Sequence, residues 1–127
     1  MPNRRRSPFP SREAAYLRDA LSKEQLALYR VVARDADRFP ELGRRYHAEM
    51  VGRRIQLVAG YLDRWAETAG WQQPDPTDVA QTFEALLRAG LFDAALHGLR
   101  LPSEAEIATQ AAEASARLLI LLEAKRL

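Results

Sequence analysis

The 127-residue sequence predicts an all-α fold, a single helical bundle. Three observations carry that expectation. From Ser11 onward apolar residues recur at helical steps, no stretch alternates strictly as a half-buried strand would, and helix-opening signals recur at Ser22, Asp75-Pro76 and Pro102-Ser103. A chain of this length makes one domain and can bury roughly two thirds of its unfolded surface.

Residues 1–10 stand apart. Three of the seven prolines and the triplet Arg4-Arg5-Arg6 fall there without periodicity, which predicts a disordered basic leader and a folded domain over 11–127. A short helix from about Ser11 to Leu21 then buries Ala14, Tyr16 (or Ala15), Leu17 and Leu21. Ser22, with Gln25 three residues on, has the spacing of a capping box. Its helix runs to about Asp37 and buries Leu28, Val31, Val32 and Ala36.

Phe39-Pro40 breaks that helix, and proline suits the first turn of the next because its missing N–H is not needed there. The third helix is the longest. Leu42, Tyr46 and Met50 lead into Val51, Ile55, Val58, Leu62, Trp65 and Ala69, and Gly70 supplies a left-handed stop. Gly52 and Gly60 weaken the helix, and one of them marks a candidate kink. Asp75-Pro76-Thr77-Asp78 restarts it with a capping acid, a proline and a second acid against the helix dipole. Val79, Phe83, Leu86, Leu87, Gly90, Leu91 and Ala94 form the fourth stripe, ending near Gly98. Ser103 and Glu106 open the fifth helix with another capping box, and Ile107, Ala111, Ala114, Leu118 and Leu121 line it.

Composition excludes more than it selects. Without cysteine there is no disulfide framework, no thiolate metal site and no Cys nucleophile. No apolar run reaches the roughly 20 residues of a membrane span, and no secretory signal opens the chain, so a cytoplasmic protein without a membrane partner is expected. The net charge of +2 is uneven. Arg4, Arg5, Arg6, Arg12 and Arg18 outweigh Glu13 and Asp19, while the rest of the chain is slightly acidic, unlike a nucleic-acid-binding surface. No nucleophile motif, glycine-rich phosphate loop or HExxH is present, so neither an enzyme nor a cofactor is expected. Asp93 and His97 share a helix face, but two ligands do not complete a metal site, and none is expected.

The stretch from Leu28 to Glu49, LYRVVARDADRFPELGRRYHAE, has a distinctive order. With FEALLRAGL from Phe83 to Leu91 and PSEAEI from Pro102 to Ile107, it resembles the AefR-like C-terminal domain of TetR-type transcriptional repressors. The resemblance extends over about Leu17 to Leu122. It implies the fold of the TetR C-terminal regulatory domain and a role in effector binding and dimerisation. The effector would be a small apolar or amphipathic molecule between the middle helices, where Tyr29, Tyr46, His47, Met50, Tyr61, Trp65, Phe83 and Leu87 are candidate lining residues. The bland alternative for these aromatics is ordinary core.

The last helix is apolar nearly all round at Leu118 to Leu122, which calls for burial on more than one face. The family pairs its two C-terminal helices with their two-fold mates, so the resemblance implies a homodimer through Gly90, Leu91, Ala94, Ala95, Leu118, Leu119 and Leu122. The alternative is a last helix at the centre of a monomer. The family also carries an N-terminal helix-turn-helix. The short, proline-broken segment before the regulatory part cannot form one, so DNA contact is expected only through a missing or partner helix-turn-helix. A ligand-free helical dimerisation module is the competing reading of the whole.

Overall fold

The structure is a computed structural model that describes residues 7–127, and among these it has seven α-helices and no strand. α1 (Pro10–Ala20) begins at the proline, one residue earlier than expected. Ser7 and Phe9 already pack on the bundle. The Ser7 hydroxyl is hydrogen-bonded to that of Tyr61, and the Phe9 ring meets the Tyr61 ring edge-on at 5.8 Å. Residues 1–6 of the expected leader lie outside the described residues.

α2 (Lys23–Asp35) is capped as expected, Ser22 Oγ accepting the Gln25 N–H at 3.3 Å. Its buried face differs from the expected one. Leu26 and Val32 are buried with Tyr29 half-buried, while Leu28 and Val31 face outward. The neighbouring α6 (Leu91–Leu96) sets this phase. Tyr29 packs edge-on against Phe92 at 5.3 Å, and the Arg30 guanidinium donates to the carbonyls of Ala95 and Leu96, closing the otherwise open end of α6.

α3 (Pro40–Tyr46) continues through a π-helical turn at His47–Val51 into α4 (Gly52–Ala69), making one rod. The turn has a cause visible in the stripe. Leu42, Tyr46 and Met50 step by four, and the next stripe residue, Val51, follows immediately. A helix of even pitch would place these two sets on different faces. The π turn inserts one residue, with the Gly52 N–H donating to the His47 carbonyl, and brings both sets into register. The irregularity in the helix therefore sits just ahead of Gly52 rather than at Gly60. Gly70, at φ 75°, ends α4 as expected.

α5 (Pro76–Arg88) is capped by Asp75, whose carboxylate accepts the N–H groups of Thr77 and Asp78 at 3.0 and 3.3 Å. The expected fourth helix to Gly98 is two helices, α5 and α6. Between them Gly90 takes φ 77° and ψ −52°, and the Leu91 N–H donates to the Ala89 carbonyl at 2.9 Å, a γ-turn. Gln110 of α7 (Glu104–Glu123) stabilises the break by donating to the carbonyls of Leu86 and Ala89. The Ser103 capping box is complete on both sides.

α4 packs along α5, and α7 lies between α5 and α1. Val58, Leu62, Trp65, Val79, Phe83, Leu87, Ala114 and Leu118 belong to the main core. A smaller core of Leu17, Leu21, Leu26, Ala95 and Ile107 ties α1 and α2 to α6 and the start of α7. No helix among the described residues is long and apolar enough to cross a membrane.

Candidate functional site

Three helices leave a cavity of about 410 Å³ between them. α1 contributes Arg12, Glu13, Ala15, Tyr16 and Asp19; α4 contributes Leu57, Val58, Tyr61 and Arg64; α5 contributes Phe83 and Leu87. That volume lies within the roughly 300–1,000 Å³ of small-molecule sites. Its walls are mainly apolar, and Leu57, 64% exposed, stands at its mouth.

Of the eight residues marked from sequence, Tyr61, Phe83 and Leu87 line this cavity. Trp65 lies behind the lining, with no exposed surface, its ring 6.2 Å from Tyr61 and 6.1 Å from Phe83. Its indole N–H has no partner among the described residues. Tyr29, Tyr46, His47 and Met50 are outside the lining of this cavity. Tyr29 is held by Phe92. Tyr46, His47 and Met50 sit on the far arm of the rod, before or within the π turn, where α2 is the neighbour of α3 and no α1 wall faces them.

The contribution of α1 was missed. Glu13, 3% exposed, sits on the same side of the helix as Leu17 and Ala20, so an acid occupies a core position. An acid at an apolar register was the available signal. The Glu13 carboxyl accepts from the Tyr61 hydroxyl on α4 and is bonded to the Ser115 hydroxyl on α7 at 2.6 Å. Ser7 reaches the same tyrosine. Burial raises the Glu13 pKa above the ordinary carboxylate range, and the hydroxyls of Ser115 and Ser7 partly oppose that rise. The group thus joins the cavity wall to α7 and to the segment preceding α1.

Beside the cavity, Glu84 of α5 lies between Arg54 and Arg88 at 3.3 and 2.8 Å. The Arg88 guanidinium also covers the Phe92 ring at 3.9 Å. The Tyr16 hydroxyl faces Glu84, and burial followed by that negative charge pushes its pKa upward. This cluster packs the middle of α1 against α5, the Tyr16 hydroxyl having no hydrogen-bond partner among the described residues. His97 is exposed, and among the described residues no three His, Asp or Glu side chains converge as metal ligands.

The seven residues marked for a dimer contact divide in the same way. Ala95, Leu118 and Leu119 are buried inside the chain, so they are not available to a partner. Their burial has a physical cause: α1 covers one side of α7 while α5 covers another, so both apolar faces are satisfied within the monomer. Leu91, Ala94 and Leu122 are half-buried and Gly90 is exposed. The outward face of α7 instead carries Ala105, Ala108, Ala112 and Ile120, the last 59% exposed.

Residues 13–120 match the family model described as AefR-like transcriptional repressor, C-terminal domain. No curated protein and no solved structure matches the chain.

Proposed function

Since this chain belongs to the AefR-like C-terminal domain family of TetR-type transcriptional repressors, we propose that it binds a small apolar or amphipathic effector in the cavity between α1, α4 and α5, and that it acts as a cytoplasmic homodimer. The observation that carries the reading is the cavity itself, which is apolar-walled, bounded by three helices and bonded to α7 through Glu13. An effector pressing on Tyr61 or α1 strains the Tyr61–Glu13–Ser115 bridge and shifts α7. The dimer forms through the outward face of α7, where alanines allow close helix approach and Ile120 provides apolar area. In a regulator carrying a helix-turn-helix unit, a change at that face alters the spacing of the paired DNA-reading units, a coupling between two sites. The function proposed is regulatory rather than catalytic.

Native mass spectrometry of the purified protein at moderate salt tests this. The expected result is a dimer, carrying added mass from a co-purified small molecule or gaining it on incubation with candidate effectors. A bare dimer indifferent to every candidate would favour the ligand-free dimerisation module. A monomer that binds nothing would sink both readings.

A further inference from the structure

The cavity is electrostatically polarised along its length. Glu13 meets Tyr61, while Tyr16 lies beside Arg54, so α1 and α4 run in opposite directions. Arg12 is adjacent to Glu13, and the Arg64 guanidinium folds back beside Gly60, where an added methyl would lie 3.9 Å from its Nη1, so both arginines flank the Glu13–Tyr61 end of the cavity. Asp19, by contrast, lies about 10 Å beyond Arg12 along α1, at the opposite end.

Among the described residues Arg12 and Arg64, like Arg30, Arg38, Arg53 and Arg126, form no ion pair, whereas Arg18, Arg34, Arg44, Arg45, Arg54, Arg88, Arg100 and Arg117 do. Of the acids beside them, Glu13 and Asp63 are engaged elsewhere, while Glu67, one turn on from Arg64, is exposed. Glu13 directs its carboxyl to Tyr61 and, away from the cavity, to Ser115, and Asp63 is bonded to Gln73. Arg12 rests over the Phe9 ring at 5.2 Å, a contact that leaves the N–H groups of its guanidinium available.

We infer that the cavity selects an amphipathic anion: an apolar body seated on Leu57, Val58, Phe83 and Leu87, with a carboxylate or similar head group between the guanidinium groups of Arg12 and Arg64. This rests on the proposed effector cavity and names the chemistry of its occupant. Guanidinium groups bind planar anions through paired, charge-assisted hydrogen bonds, and an unpaired cation at the rim adds attraction without first breaking an existing ion pair. Because both side chains are solvent-exposed, the preference is sensitive to salt.

Calorimetric titration of the whole chain with decanoate, decanol and decylammonium tests the inference, using wild type, the double variant Arg12→Gln/Arg64→Gln and the cavity-blocking variant Leu57→Trp. All three substitutions are at exposed positions, so each variant is expected to fold. Decanoate should bind about tenfold or more tightly than decanol at low salt. That advantage should vanish in high salt and in the double arginine variant, with decanol binding unchanged there and both ligands weakened by Leu57→Trp. Equal binding of decanoate and decanol, lost together in Leu57→Trp, would overturn the anion preference and leave the effector cavity standing. Tightest binding of decylammonium would overturn it in favour of Asp19. No binding of any of the three would overturn the inference together with the cavity reading.

Discussion

Glu13 concentrates the chemistry of this fold in one residue. Its carboxyl shares hydrogen bonds with Tyr61 and Ser115, and Ser115 also approaches the Ala111 carbonyl at 3.0 Å. A serine hydroxyl has one proton, so it can donate fully to only one of Glu13 and Ala111. A protonated Glu13 resolves the conflict by donating to Ser115, which then donates to Ala111. Burial favours the same state. A folded-state pKa above the unfolded value means that the folded protein holds this proton more tightly. The resulting stability is fully present below the unfolded value and is lost as pH rises through the folded one. Glu13→Gln, neutral at all pH, should therefore gain stability relative to wild type as pH rises from mildly acidic to neutral. Urea unfolding of both proteins across that range measures the difference, and parallel stability curves would show that Glu13 titrates as an ordinary carboxylate.

At the scale of single elements, two glycines that look alike in sequence do opposite work. Gly60 lies inside α4, where an added methyl would meet only Arg64 Nη1 at 3.9 Å. Gly60→Ala is expected to stabilise the protein by about 0.5–1 kcal/mol, because glycine loses more backbone freedom on folding. Gly90 turns the chain between α5 and α6 at φ 77°, and an added Cβ would meet nothing within 4 Å. Its cost is therefore backbone strain alone, and Gly90→Ala is expected to destabilise by about 1–3 kcal/mol. Urea midpoints of the two variants should move in opposite directions. A neutral Gly90→Ala would show that the α5–α6 break is not held in its γ-turn. The π turn at His47–Val51 is another element-scale device, absorbing the one-residue slip between Met50 and Val51.

For the whole molecule, the deciding property is which surface of α7 remains after α1 and α5 have packed on it. Ile120→Arg places a charge on the proposed partner face while leaving the core untouched, so it should give a folded monomer. Leu118→Arg places the same charge at a position with no exposure and should unfold the chain, since an isolated buried charge is far costlier than the stability of a domain this size can bear. Circular dichroism separates folding from assembly, and light scattering gives the mass. A dimer that survives Ile120→Arg would move the interface away from this face.

Much of the architecture was legible because it is set locally. Ser22, Asp75 and Ser103 cap helices through side chains a few residues from the backbone they satisfy, and Gly70 ends one by its own φ. Val58, Leu62, Trp65, Phe83 and Leu87 are buried as their spacing requires. The fold class, most helix ends and the family followed from such signals. The phase of α2, the break at Gly90 and the location of the cavity did not, because each depends on a partner distant in sequence. Arg30 and Phe92 turn α2, Gln110 stabilises the broken end of α5, and Ser115 satisfies an acid that its charge alone would have placed on the surface. Leu118 and Ile120 show the same division. Both are apolar residues on one helix, and only the packing of α1 and α5 against α7 decided that the first belongs to the core and the second stays exposed.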